Sequence, residues 1–227
     1  MPQRKETLAG FGVLSPMSHK LVIPQTDYSR IFRVIFSVLD GRAQTHQACS
    51  FFAMAGAGIL RKHYNLKAHP LSGGAAYAVN DEDAVVATFG RIENNELMAT
   101  RDAFHCWVEC NGFAIDFMTP IFQENLQAAG STATVPRRMF QKPLAAMSPT
   151  LPQHFSSEGM FHLVPSLENT ESMIKSFDAP AKADLAALCV YWYRRPPAPM
   201  NESLDIQDDL GRITRLKLHG PDISGAW

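Results

Sequence analysis

The stretch FHCWVECNGFAIDFM, residues 104–118, decides the fold. Two apolar, aromatic-rich runs, 104–110 and 113–118, flank the dipeptide Asn111-Gly112. Asn-Gly between two such runs is the strongest short-range signal for a β-hairpin, because both residues of the tight turn need positive φ angles. The stretch therefore predicts two antiparallel strands joined by a two-residue turn.

A two-residue turn also determines which side chains share a face of this hairpin. Cys110 then lies opposite Phe113, and the same register continues to Trp107 opposite Asp116. Because side chains alternate between the two faces of a strand, His105, Trp107 and Asp116 lie on one face. Asp116 is the diagonal neighbour of His105, within reach of its side chain. We expect a His105–Asp116 pair, which a three-residue bulged turn would break.

The stretch CSFFAMAGAGILRKHY, residues 49–64, predicts a helix. Its first twelve residues carry no charge, and a helix that is apolar all round is buried on every side. Gly56 and Gly58 would each weaken an exposed helix by up to ~1 kcal/mol, so they favour positions where another element packs against the backbone. Cys49 begins the helix, where the helix dipole and the free N–H groups favour a thiolate. The alternative interpretation of Cys49 is a small buried hydrophobic residue.

Weaker signals divide the rest of the chain. Apolar spacing after Thr26 predicts a helix that ends at Gly41. One helix, then four strands, then mixed elements predict an α+β fold in which the buried helix packs on an antiparallel sheet. The remaining predicted elements are a strand at 75–79 after a Gly73-Gly74 turn, a strand at 84–89, a polar loop at 91–102, a helix at 121–128, an irregular stretch at 130–160, a strand at 161–164, a helix at 181–193 and a strand at 212–218.

The composition predicts a single domain over residues 1–227, with a core at about 27–120 and a mixed C-terminal extension at 121–227 that packs on it. Apolar residues make up 46% of the chain and charged residues 19%, enough for a sizeable core. With 21 basic and 22 acidic residues, the chain lacks the basic excess that nucleic acids and anionic membranes select. We predict neither of these partners.

The N-terminal residues and the number of cysteines indicate the cellular compartment. No apolar run approaches the roughly 18 residues that span a bilayer, and Leu8–Leu14, interrupted by glycines and followed by Pro16, is unlike a signal peptide. Four cysteines are too few for a disulfide scaffold in a chain of 227 residues, so we predict a cytoplasmic protein. Cys106 and Cys110 lie about 13 Å apart on one strand, too far for one disulfide or one metal ion. We predict that both are packing residues.

His105, Asp116 and Cys49 together predict a chemistry. A histidine held by a carboxylate, on a sheet packed against a helix that starts with cysteine, is what nucleophilic cysteine catalysis needs. The histidine takes the thiol proton, and the carboxylate fixes the tautomer of the ring. Two alternatives stay open here: a solvent-exposed His–Asp pair on an edge hairpin, worth well under ~1 kcal/mol, and His46, three residues from Cys49, as the base.

The order of these residues resembles a known family. Cys49 at the head of a helix, HCWVE (residues 105–109) and AIDFMTP (residues 114–120) are similar to the transglutaminase-like core, a relative of papain and of the arylamine acetyltransferases. The similarity covers about residues 40–120 and no motif beyond them. The eleven residues from His105 to Asp116 are fewer than in a typical transglutaminase, so the hairpin turn must be tight. The whole chain resembles an uncharacterised bacterial family assigned to the cysteine-proteinase fold.

The resemblance implies a papain-like hydrolase or acyl transferase that acts on an amide or peptide-type bond through a Cys49–His105–Asp116 triad. It implies a small-molecule, peptide or protein substrate and requires no metal and no organic cofactor. One alternative is an inert binding or scaffold module on the same fold. Another is an acyltransferase that uses a thioester such as coenzyme A, whose sign would be a basic, open cleft beside Cys49. The sequence does not specify the substrate or the oligomeric state.

Papain-like enzymes also carry a glutamine shortly before the nucleophile, as a donor to the oxyanion. Gln44 and Gln47 are the two residues that could supply it, with the backbone N–H of Cys49 as the other donor. Gln44 is preferred, because a residue five positions upstream can fold back over the helix end. Trp107, on the face of His105, is expected to line the site.

Overall fold

The computed structural model of the protein describes residues 21–82, 84–149 and 151–227. The prediction made from Leu8–Leu14 about a signal peptide lies outside these residues. Among the helices of the described segments, none is long and apolar enough to cross a membrane.

The described chain is a mixed α+β structure, which confirms the predicted fold class at that level. Its helices are α1 (Gln25–Leu39), α2 (Cys49–Tyr64), α3 (Phe122–Ala128), α4 (Leu167–Lys175) and α5 (Pro180–Trp192). Its strands are β1 (Ala68–Asn80), β2 (Val85–Phe89), β3 (Arg91–Glu93), β4 (Glu96–Met98), β5 (His105–Cys110), β6 (Phe113–Asp116), β7 (Phe140–Pro143), β8 (Phe161–Pro165), β9 (Ser203–Gln207) and β10 (Ile213–Lys217).

Six strands form one antiparallel sheet, in which β2-β1-β5-β6-β7 are successive partners and β8 pairs with β1. Two further hairpins, β3–β4 and β9–β10, form sheets of their own. Helix α2 packs against β1 and β5, and α1 and α5 pack against α2. Helix α4 packs on β1. The uncharged first part of α2 is therefore covered by strands and by helices, as its sequence predicts.

The β5–β6 hairpin has the predicted turn and register. Asn111 and Gly112 have φ angles of +51° and +75°, as a two-residue type I′ turn requires. Cys110 pairs with Phe113, and the register continues to Val108 opposite Ile115. His105 is the first residue of β5 and Asp116 is the last residue of β6, so both lie at the end of the hairpin away from the turn.

Strand β1 corrects one prediction. Gly73 and Gly74 do not form a turn but lie inside a continuous strand of 13 residues. Gly73 pairs with His105 on one side and Pro165 on the other, so β5 and β8 flank it. A Cβ atom on Gly73 would lie 2.1 Å from the carbonyl oxygen of Val164. The glycine therefore marks a close approach between backbones, which a single sequence does not distinguish from a turn.

The two glycines of α2 confirm the predicted close packing. A Cβ atom on Gly56 would lie 2.3 Å from the ring of Phe117, and one on Gly58 would lie 3.0 Å from Val190. Phe117 directly follows Asp116, so its ring joins the middle of the helix to the end of β6. The start of α2 and the Asp116 side of the hairpin thereby share one buried layer.

Several elements were not predicted. Strand β7 lies in the stretch predicted to be irregular, β3 and β4 lie in the predicted polar loop, and α4 and β9 had no prediction. Strand β7 is only four residues long and ends in a proline, and α4 buries only Thr170 and Met173. Such short or mostly exposed elements carry little periodicity, and their partners come from distant parts of the chain.

Candidate active site

Cys49 is the first residue of α2 and is only 7% exposed. No side chain caps this end of the helix, and its first turn contains no acidic residue. The positive end of the helix dipole therefore lies at the residue that carries the thiol. This surrounding favours the thiolate over the thiol.

His105 and Asp116 form the pair that the hairpin register predicts. Nε2 of His105 lies 2.7 Å from Oδ2 of Asp116, and both side chains are 1% exposed. A pair this deeply buried differs in kind from a solvated pair on an edge hairpin. The exposed-pair alternative is therefore not what the structure contains.

The carboxylate of Asp116 is itself held in place. Its Oδ1 accepts the backbone N–H of Met118 at 2.9 Å, which leaves Oδ2 for His105. The hydroxyl of Tyr28 donates to the backbone carbonyl of Asp116. On the imidazole side, the ring of Phe89 stacks on His105 with centroids 4.3 Å apart. These contacts fix the orientation of the His105 imidazole and of the Asp116 carboxylate.

The other ring nitrogen of His105 is unused. Its Nδ1 is buried and has no hydrogen-bond partner among the described residues. Cys49 and His105 line one cleft of about 480 Å³, called the Cys49 cleft below. Because Nε2 is committed to Asp116, Nδ1 is the ring atom free to exchange a proton with Cys49 or with a ligand.

The electrostatics of the site favour a thiolate–imidazolium pair. The thiol of Cys106, which donates a hydrogen bond to the sulfur of Cys49, has the largest effect on the pKa of Cys49. Burial opposes it, and the nearby imidazole of His105, through its positive charge, adds to it, so the pKa falls to about 5. For His105, burial lowers the pKa, but Asp116 and then Cys49 outweigh burial and raise it to about 10.

Cys106 is buried in the hydrophobic core, as predicted for a packing residue, and it also lies beside Cys49. It is buried, and its hydrogen bond to Cys49, together with burial, raises its own pKa. His105 and Cys106 are the first two residues of β5. The start of α2 lies beside this beginning of the strand, so both residues are neighbours of Cys49. The sequence argument treated Cys106 only as a packing residue and therefore missed its contact with Cys49.

Substitution of Cys106 tests this contact. Cys106→Ala is expected to raise the pKa of Cys49 by one unit or more, from about 5, because the thiolate loses its main donor. Cys106→Ser keeps a donor of similar size and should raise it less. The pH dependence of the alkylation rate of Cys49, followed by mass spectrometry, measures both. Equal profiles for the wild type and Cys106→Ala would show that Cys106 does not stabilise the thiolate.

The other predicted site residues have separate positions. Gln47 lines both the Cys49 cleft and a neighbouring groove, whereas Gln44 lines only that groove. The short 3₁₀ turn Thr45–Gln47 lies between Gln44 and Cys49, so the geometry favours Gln47 over Gln44 as the donor to the oxyanion. This turn brings Gln47, the nearer residue, to the cleft.

Trp107 and His46 complete the comparison with the sequence. Trp107 is 1% exposed and does not line the Cys49 cleft, so its predicted position was wrong. It lies two residues further along β5 than His105, away from the open end of the strand. His46 does line the cleft, but no carboxylate pairs with its ring in the described part of the chain.

Sequence reasoning missed the opposite wall of the cleft. This wall comes from the end of β2, the loop before β5 and helix α3, and none of these segments carries a motif. Only the long-range pairing of β1 with β2 brings the first of them to His105. The residues of these segments are Thr88, Phe89, Gly90, Asp102, Ala103, Phe104 and Asn125, and Met118, after β6, also lines the cleft.

Comparisons with known proteins place the chain in a family. No match is found among curated proteins. A solved structure described as "The crystal structure of genomics APC5867" is similar, with 36% identity and a TM-score of 0.79 over 91% of this chain and 98% of that one. The family model described as "Protein of unknown function (DUF2026)" matches residues 24–227. The chain is therefore a member of the DUF2026 family.

Proposed function

We propose that the protein is a cysteine-dependent hydrolase or acyl transferase, built on a papain-like or transglutaminase-like core, that acts on an amide or peptide-type bond. One observation carries the proposal. The buried bond from His105 Nε2 to Asp116 Oδ2 leaves Nδ1 without a partner, beside the cleft that Cys49 lines. An oriented histidine with one free nitrogen next to an acidic thiol is the arrangement that nucleophilic cysteine catalysis uses.

The reaction follows from these positions. The Cys49 thiolate attacks the carbonyl carbon, and the backbone N–H of Cys49 and the side chain of Gln47 donate to the oxyanion. His105 passes its Nδ1 proton to the leaving amine, and a thioester remains on Cys49. Water or a second amine then attacks the thioester and gives a proton to Nδ1. Asp116 holds the ring and stabilises the imidazolium throughout.

The pKa values define the working range of this mechanism. The thiolate forms as the pH rises through about 5, and the imidazolium is lost as the pH rises through about 10. Both charged groups are present between these limits. Activity limited by this pair is therefore bell-shaped, with a broad plateau that includes neutral pH.

Selective alkylation tests the proposal. At pH 6, iodoacetamide is expected to label Cys49 before the other three cysteines, because only Cys49 is then a thiolate. Burial raises the pKa of Cys110 and of Cys189, and the bond to Cys49 raises that of Cys106. A thiol with a pKa of about 9 is only ~0.1% thiolate at this pH, but a more acidic thiolate is less nucleophilic, so we expect roughly a 10- to 30-fold preference.

Mass spectrometry of partially labelled protein measures the preference, with Cys49→Ser as the control for the assignment of the labelled peptide. Labelling of Cys49 no faster than that of Cys189 would contradict the proposal and favour the inert module. A reactive Cys49 that is acylated by thioesters but by no amide would favour the acyltransferase alternative.

A further inference from the structure

A second cleft lies on the other side of Phe104 from the Cys49 cleft. Phe104 lines both clefts, and Ser50, the residue after Cys49, lines the second. The second cleft therefore borders the first turn of α2, which begins with Cys49. The second cleft has a volume of about 230 Å³, which suits a group of a few atoms. We call it the Ser72 cleft. Its lining includes Ser50, Ser72, Arg101, Phe104, Asn169 and Lys182.

The charge of the Ser72 cleft has one sign. Arg101 and Lys182 line it, and no acidic side chain does. Neither cation forms an ion pair with any residue in the described segments. The ammonium of Lys182 lies 5.8 Å from the ring centre of Phe177 instead. A guanidinium and an ammonium without carboxylate partners at one small cleft favour an anion.

The buried hydroxyl of Ser72 adds a possible donor to the two cations of the cleft. Ser72 is 0% exposed, and no oxygen or nitrogen atom among the described residues pairs with its Oγ, whose neighbour is the thiol of Cys106 on the adjacent strand. Its backbone is fully used: the N–H donates to Thr170 Oγ1 at 3.0 Å, and the carbonyl accepts from the same hydroxyl at 3.2 Å. Buried polar groups are generally hydrogen-bonded. Sulfur is a weak hydrogen-bond acceptor, so the hydroxyl of Ser72 can donate instead to an oxygen bound in this cationic cleft.

We propose that the Ser72 cleft binds an anionic group of the substrate, a carboxylate or a phosphate, beside the bond that Cys49 attacks. The inference rests on the proposed function and narrows its substrate class to acidic acyl compounds. Arg101 and Lys182 balance the charge, and the hydroxyl of Ser72 donates to one anionic oxygen. The Cys49 cleft, on the other side of Phe104, holds the rest of the substrate.

Two maleimides of similar size test the inference. N-ethylmaleimide is neutral, and 3-maleimidopropionate carries a carboxylate at the end of a short chain. For each maleimide, the rate of its reaction with Cys49 at pH 6 is divided by the rate of its reaction with 2-mercaptoethanol. At low ionic strength we expect roughly a 10-fold preference for the acidic reagent, and the preference should shrink in high salt.

Variants separate the cleft from the rest of the site. The double variant Arg101→Gln, Lys182→Gln should reduce the preference to the part that the His105 imidazolium supplies. Lys175→Gln is the matched control, because Lys175 is exposed and precedes Ser176 of the cleft without lining it. A wild-type preference near 1, or one that the double variant keeps, overturns the inference.

The same measurements tell the two proposals apart. If Cys49 reacts with neither maleimide, the proposed function fails; if it reacts equally with both, only the anion cleft fails. Succinate and inorganic phosphate at equal concentration then identify the anion by how strongly each slows labelling by 3-maleimidopropionate. Stronger protection by succinate assigns a carboxylate, and stronger protection by phosphate assigns a phosphate group. Protection by neither contradicts the inference.

Discussion

The Asp116→Asn protein is expected to keep its fold and to lose the broad pH plateau of Cys49 reactivity. In the wild type the backbone N–H of Met118 donates to Oδ1, so an asparagine keeps this bond only with its oxygen at that position. The amide NH₂ then faces Nε2 of His105, where Oδ2 accepts at 2.7 Å. Two donors cannot face each other, so Nε2 must lose its proton. The remaining proton moves to Nδ1, which can then no longer act as a base.

The expected change in reactivity is large because the variant loses the carboxylate that offsets the effect of burial on the pKa of His105. Burial lowers the pKa of His105, and Asp116 is the main group that raises it to about 10. Without the carboxylate, the ring stays neutral at pH 7 and the thiolate loses its positive neighbour. We expect alkylation of Cys49 at pH 7 to slow by roughly 10-fold or more, and the midpoint of its pH profile to rise above the wild-type value of about 5.

A buried carboxylate elsewhere provides the control. Asp27 is 6% exposed and accepts the hydroxyl of Tyr64 at 2.7 Å, but it does not line the Cys49 cleft. Asp27→Asn should leave the pH profile of Cys49 unchanged. Circular dichroism establishes that both variants are folded. If Asp116→Asn follows the wild-type profile from pH 5 to 9, Asp116 does not orient the base.

Among substitutions that add a single methyl group to the sheet, Gly73→Ala is expected to be the most destabilising. The new Cβ would lie 2.1 Å from the carbonyl oxygen of Val164 and 2.9 Å from Cα of Pro165. Both atoms belong to the backbone of β8, so relief requires this strand to separate from β1. We expect a loss of about 3 kcal/mol in the free energy of unfolding and a fall in melting temperature of roughly 6–12 °C.

Gly74→Ala is the matched control in the same strand. The nearest atom to its Cβ would be a side-chain carbon of Leu97 at 3.0 Å, which can rotate away. We expect a much smaller loss for this variant, measured by thermal and urea unfolding of both proteins. Equal losses for the two variants would mean that the β1–β8 spacing is not the cause.

The hairpin and the central helix could be predicted from the sequence because their signals are local. The Asn111-Gly112 turn fixes the register over a few residues, and this register carries His105 to Asp116. The uncharged run after Cys49 specifies a buried helix whatever covers it. These two local facts gave the pairing of His105 with Asp116 and the position of Cys49 at a helix start.

The remainder of the site depends on contacts that no local pattern encodes. Cys106 reaches Cys49 because the start of α2 lies at the end of β5, and Ser72 lies opposite Cys106 because of the β1–β5 register. The same holds for Gly73, which has a turn-like sequence but lies inside a strand. Gln47, rather than Gln44, reaches the cleft because of a single 3₁₀ turn.

The pairing of β1 with both β5 and β8 has a consequence for how the protein is made. Gly73 pairs with His105, 32 residues later in the sequence, and with Pro165, 92 residues later. A chain emerging from the ribosome contains Cys49, His105 and Asp116 long before β8 and α4 are available to cover the far edge of β1. Contacts of such high sequence separation form late and slow folding. The strand pairing around Gly73 can therefore be completed only after residue 165 has been synthesised.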